Sequence, residues 1–441
     1  MSSPRSSHPG AAVLGVAFLT VAVGLVAAAG QEQKAAVPRQ PAGKADDAPA
    51  SPDDQVVALV RAYDDARSIE MARPLEDLLK DRAKFRAAAK EATRRRKDFA
   101  GRFLALAERY PRTNAAGQAL TWIVAKDSRV IQPAPELERA LEILARDHVG
   151  SDRIKAVLGD LSPFAQWSSP SIEAFFRHVL ERSPYYETRG LACYRLAELL
   201  IERAERLRIW QLLGSPAQVD GNWWLQGGPE AIAVLRRGDP ARVEDEAARL
   251  LERVIAQFPR VAENHLGRNP LGTALAEPAR TELDRLRHLS IGKPAPEIDG
   301  VDLDGRPMKL SDYRGKVVVL YFSPYYSRFP NRLDPQVVTG FRRLNEATAG
   351  KPFAMVGVVT RQIEQYRKEL RASGLQVPFW ADPATREHFA GPIHAAWHEN
   401  RESIVPYYYV LDARGTIRYR LPHDFALIEK AMSALLAERP D

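Results

Sequence analysis

Cysteine is almost absent from this chain: 441 residues contain one, Cys193. A lone thiol makes no internal disulfide, so the fold is held by packing even in an oxidising compartment. Any reaction that needs an attacking and a resolving cysteine from the same chain is excluded as well. Cys193 lies in the apolar stretch Gly190–Leu200, whose spacing predicts a helix, and it reads as a small buried hydrophobe. Long hydrophobic runs are equally scarce. Only Ala11–Gly30 is apolar throughout, preceded by a single basic side chain, Arg5, and closed by Ala27-Ala28-Ala29. That pattern predicts a secretory signal cut near Ala29. The run also matches the roughly 20 residues that span a bilayer, which leaves retention as an N-terminal membrane anchor as the alternative to cleavage. No cysteine follows it, which removes a lipid-anchored form. Concentrated charge is missing too. The net charge of +7 comes from scattered arginines, and the one dense cluster, Arg94-Arg95-Arg96-Lys97, reads as a solvated helix face, so nucleic acid is not an expected partner.

What is present falls into four stretches: 1–30 as signal or anchor, 31–54 as linker, 55–290 as a helical domain and 291–441 as an α/β domain. Residues 31–54 are rich in Ala, Pro, Lys and Asp and nearly lack aromatics, too little apolar surface to order themselves. From Gln55 to Ser290 apolar residues recur at three and four, the helical period. Several helices are predicted to end alike, at Tyr110-Pro111, at His148, at Ser183-Pro184 and at Phe258-Pro259, spaced by about 35 to 38 residues or twice that. The double gap holds Gly214–Pro240 with Trp223-Trp224, read as an ordered insertion. Two architectures fit. One is a stack of helical hairpins with a concave groove for a peptide or protein, loosely similar to tetratricopeptide solenoids; the other is a plain helical bundle.

The C-terminal stretch changes period. Gly292–Pro296 is an extended entry, because each residue before a proline is pushed out of the α region. A hairpin turn is expected at Asp304-Gly305, and Lys316–Phe322 reads as a strand buried on both faces. Then follow a helix over 336–349, a strand over 353–359, a helix over 362–373 and a short strand near Phe379. A final hairpin, 407–411 with 416–421, and a closing helix over 425–437 complete a mixed sheet with helices on both faces. With Ile291–Pro296, Asp304-Gly305, Leu310–Asp312, Arg314–Phe322, Val405-Pro406 and Leu411–Gly415, this stretch resembles the TlpA-type, AhpC/TSA "redoxin" branch of the thioredoxin superfamily. The fold class is therefore α plus α/β, a helical and possibly repeat-like domain before a thioredoxin-like one.

The resemblance implies where chemistry should sit. Counted from Phe322, the family's first redox cysteine falls on Ser327, its partner on Pro330, and a peroxidatic cysteine near Asn331. A serine hydroxyl is not ionised near neutral pH and forms no disulfide, so thiol exchange by these positions is not expected. The family also implies a cis-proline at Val405-Pro406, where Val405 would pair its N–H and C=O with an extended peptide. Around Ser327 the would-be redox turn carries Tyr325, Tyr326, Arg328 and Phe329, a set suited to contact with a peptide bearing a carboxylate. The expected peptide-binding residues are Tyr326, Ser327, Arg328, Val405 and Pro406. One more cluster is Glu387-His388 with His394, His398 and Glu399; His394 and His398 share a helical face but lack a third ligand at diagnostic spacing, and a surface histidine pair is the simpler reading. No cofactor is expected. Three function classes follow: a peptide- or protein-binding envelope protein without catalysis, an oxidoreductase working through Cys193 or a partner's cysteine, and a hydrolytic or metal-assisted site on His394 and His398.

Overall fold

In the computed structural model the described residues are 50–71, 82–128, 135–161, 167–214, 225, 228–262, 274–323, 333–360, 362–383, 391–397 and 407–438. Packing of the backbone divides the chain into two units, one comprising 1–203, 216–238 and 256–276, the other 204–215, 239–255 and 277–441.

The first unit is helical. Its elements are α1 (Pro52–Met71), α2 (Arg82–Arg109), α3 (Asn114–Asp127), α4 (Pro135–His148), α5 (Ile154–Asp160), α6 (Pro170–Arg182), the first part of α7 (Tyr186–Leu213) and α8 (Gly228–Arg237). The helices start where the sequence supplies caps: the side chain of Thr113 accepts from the Ala116 N–H, and Ser169 accepts from that of Ile172 with Pro170 at the first helical position. They stop where the bulky-residue turns foretold it, at Arg109, His148 and Arg182. Successive helices α1 to α4 pack on one another, and Tyr63 of α1 stands edge-on to Phe99 of α2 and Trp122 of α3, 5.3 and 4.8 Å between ring centres. Cys193 is fully buried in α7, as its apolar stripe implied.

The second unit is built on a five-stranded sheet. After α9 (Pro240–Gln257) and α10 (Ala276–His288) come the hairpin β1 (Asp299–Val301) and β2 (Pro307–Lys309), β3 (Val317–Phe322), α11 (Pro335–Ala347), β4 (Phe353–Val359) and α12 (Ile363–Ser373). Then follow β5 (Phe379–Ala381), α13 (Pro392–Ala396), β6 (Tyr407–Leu411), β7 (Ile417–Pro422) and α14 (Phe425–Ala437). Strand order is β5-β4-β3-β6-β7, with β3, β4 and β5 parallel and β6 and β7 antiparallel to their neighbours. Every residue of β3 is buried, the outcome its unbroken apolar run requires of a central strand. Gly305 turns the hairpin with φ of 82°, and Asp302 Oδ1 accepts from the N–H groups of Asp304 and Arg306.

Alternation along β3 sorts two cores. Val318, Leu320 and Phe322 join Val356, Val358, Trp380, Trp397 and Tyr409 on one face. On the other face Tyr321 stands edge-on to Phe341 of α11 and Phe379 and tilted against Tyr408, and Phe425 of α14 meets Tyr408 edge-on. Both sheet edges are partly paired by the chain itself. Leu303 donates to the Phe379 carbonyl at β5, while at β7 the entry segment pairs with Ile417, the Gly292 N–H donating to the Ile417 carbonyl and the Ile417 N–H to that of Lys293.

Candidate functional site

In open α/β sheets ligand sites lie beyond the carboxyl ends of the parallel strands. Here those ends are Ser323 after β3, Thr360 after β4 and Asp382 after β5, and all three are buried. A helix-capping turn joins them. Asp382 donates its own N–H to Val359 O at 2.9 Å, which continues the β4–β5 ladder and fixes the side chain at the strand end. Its carboxylate then accepts the backbone N–H groups of Ile393 and His394, each at 2.9 Å, so it serves the first turn of α13. The same carboxylate takes the imidazole: Nδ1 of His394 lies 2.7 Å from Asp382 Oδ2. With the carboxylate as acceptor, Nδ1 carries the proton. Nε2 faces the carbonyl oxygen of Ser323 at 3.4 Å, and the ring stands edge-on to Phe322. Both side chains are shut from solvent, His394 at 1 % and Asp382 at 1 % exposure. Gly391 completes the turn. Its N–H donates to Thr360 Oγ1 at 2.9 Å, and a Cβ there would sit 2.2 Å from Asp382 Oδ1 and 2.3 Å from the Asp382 carbonyl oxygen, so only glycine admits the carboxylate.

A second polar pair occupies the opposite face of the same sheet end. The Tyr408 hydroxyl lies 3.0 Å from Nδ1 of His423, the residue after β7. Burial holds the Tyr408 phenol well above its ordinary range and pushes His423 below its own, with Asp334 and Asp424 opposing the latter shift. A neutral imidazole accepting from an intact phenol is the arrangement those two directions describe. Nearby, Gln362 enters α12 at φ of 48°, a left-handed conformation uncommon for a residue with a side chain.

The sequence expectations meet this geometry unevenly. Ser327, Arg328 and Pro330, with Tyr325, Tyr326, Phe329 and Asn331, lie outside the described residues, as do Val405, Pro406, Glu387, His388, His398 and Glu399. His394 is not the surface histidine that its spacing from His398 suggested; it is a core residue committed to Asp382. Among the described residues no group of three or more His, Cys, Asp or Glu side chains is placed to hold a metal ion. Sequence reading missed Asp382 and the Tyr408–His423 pair. A carboxylate set directly after the buried strand Phe379-Trp380-Ala381 was the available signal, since such a group requires buried donors.

The architecture is that of a thioredoxin-like domain. Residues 291–420 match the AhpC/TSA family, and this stretch of the sequence contains no cysteine. Among solved structures the chain is similar to a thioredoxin-family thiol:disulfide interchange protein of Chlorobium tepidum, at 21% identity over 34% of this chain and 99% of that one, TM-score 0.27. It is similar to a thiol-disulfide oxidoreductase of Bacteroides fragilis at 21% identity, covering 32% and 100% of the two chains, TM-score 0.27. A peroxidoxin of Mycobacterium tuberculosis matches at 18% identity over 35% and 100%, TM-score 0.28. No curated protein matches the chain.

Proposed function

We propose that this is an exported envelope protein whose redoxin domain binds an extended peptide or protein segment and does not catalyse thiol-disulfide exchange. One observation carries the reading: the only cysteine in the chain is Cys193, buried in a helix of the helical unit. Exchange needs a thiolate attacker and a resolving thiol, and neither belongs to the redoxin domain. Binding makes no such demand. The backbone of Val405 offers one N–H and one C=O for strand addition, Arg328 offers a guanidinium fork for a carboxylate, and Tyr326 with its aromatic neighbours offers apolar contact. Export rests on the basic, apolar and small-residue order of residues 1–30, ahead of a linker, shorter than the 31–54 expected because α1 already starts at Pro52, that would carry the folded part clear of a membrane. Among the described residues no helix is long and apolar enough to cross a membrane; the run 11–30 lies outside them.

Fluorescence anisotropy with labelled extended peptides, one acidic and one with the acids changed to amides, tests the binding half on the full chain. Saturable binding of the acidic peptide is expected, weakened about tenfold or more by Arg328→Ala, the scale of a lost charge-assisted pair. Equal affinity of wild type and variant for both peptides would contradict the assignment.

A further inference from the structure

The redoxin sheet is docked by helices that precede residue 291, and the contact is made of buried charge. On β7, Arg420 donates through Nη1 to Glu205 Oε1 of α7 at 2.6 Å and through Nε to the Tyr409 hydroxyl at 3.2 Å. The same Glu205 oxygen lies 3.5 Å from Arg285 Nη1 of α10. Arg285 in turn grips Glu282, with its Nη2 and Nε at 3.1 and 3.2 Å from one carboxylate oxygen. The result is an alternating row, Arg420, Glu205, Arg285, Glu282, with side-chain exposures of 15, 17, 9 and 1 %. The paired arginines hold the Glu205 carboxyl below its usual range despite burial.

Two further ties act on the same stretch of α7. Lys430 of α14 donates to the Leu213 carbonyl at 2.6 Å, a cation on the last turn of a helix, where the free carbonyls and the dipole favour it. Arg208 makes a two-pronged pair with Glu244 of α9, half-buried on both sides. Between these anchors Leu207, Ile209 and Leu213 are buried, and Leu289, just past α10, belongs to the core cluster of the sheet. Desolvated charges are costly when unpaired and directional when paired, so a row of alternating sign admits one register of helix on strand. A solvated surface bridge has neither property.

We infer that residues 204–213, with α9 and α10, are a permanently docked partner of the β6–β7–α14 side of the redoxin domain. The surface that a domain cut at residue 291 would present there is occupied within the chain, by a helix bearing a glutamate aimed at Arg420. It follows that a second protein does not use that surface, and that the folding unit of the C-terminal part includes these helical segments.

Hydrogen exchange read by mass spectrometry on the full chain tests this. With Glu205→Gln, amides of 417–421 on β7 are expected to exchange about tenfold faster or more; with Arg420→Gln, amides of 204–213 should do the same. The double variant should fall well short of the product of the two single effects, because both substitutions remove the shared Arg420–Glu205 bond. Where Arg420→Gln fails to fold, Lys430→Met, read on 204–213, supplies the second arm and should likewise speed exchange. Effects confined to the mutated element, or effects that multiply in the double variant, would overturn the inference.

Discussion

Asp382 holds the imidazole of His394 at 2.7 Å in a setting closed to water, and its other hydrogen bonds go to the backbone of the turn that carries that histidine. One carboxylate thus ties β5 to α13. Asp382→Ala should leave three buried donors without an acceptor and cost about 3 kcal/mol, within the range for breaking a buried pair. Urea unfolding measures it as a lower midpoint at unchanged slope. A change under about 0.5 kcal/mol, the usual size for a surface substitution, would show that the turn is not held this way.

Gly391 gives a steric version of the same test. An alanine Cβ would meet Asp382 side-chain and backbone atoms at 2.2 to 2.3 Å, and the backbone oxygen has no rotamer by which to withdraw. Gly391→Ala should therefore cost about 1 to 3 kcal/mol by overpacking. Gly101→Ala is the control: it lies within α2 with nothing inside 4 Å of the new methyl group, and should stabilise by about 0.5 to 1 kcal/mol. Equal effects at both sites would contradict the close approach at Gly391.

The His423 pair has a pH signature. Burial lowers the folded pKa of His423 below the ordinary value near 6.5, so the unfolded chain takes up its proton first as pH falls. Stability should be level above about pH 6.5 on this account and decline below it, through the window that ends at the lowered folded value. His148 shifts in the same direction, also through burial, and adds to the slope. Denaturant unfolding across a pH series should show a shallower decline in His423→Asn, with the remainder due to His148. An identical slope in the variant would mean that His423 titrates alike in both states.

How much of this could be read from residues alone varies with range in the chain. The helix over 425–437 and the strand over 353–359 coincide with the observed α14 and β4, and β3 begins one residue after its predicted start, because each is specified by its own periodicity. The helix predicted over 336–349 runs over 335–347: Asp334 caps it with Pro335 at its start, and Thr348, whose hydroxyl bonds back to Leu344 O, closes it. The site was less legible. His394 and His398 share a helical face on paper, but α13 is one turn long, and the partner that decides the role of His394 is Asp382, whose meaning comes from a strand end. The link from Arg420 to Glu205 spans 215 residues and rests on tertiary packing that no local pattern encodes. Thioredoxin-like shape was visible because turn glycines, buried strands and caps are local; the polar contacts that set its chemistry are not.

The central claim is that a redoxin fold persists here without thiol chemistry. Dithiol-driven reduction of insulin disulfides by the full chain measures it most directly, together with the reaction of Cys193 with a thiol reagent in the native state. The expected result is reduction at the uncatalysed rate and a thiol that reacts only after unfolding, as burial in α7 requires. Turnover above the uncatalysed rate that is lost in Cys193→Ala would contradict it.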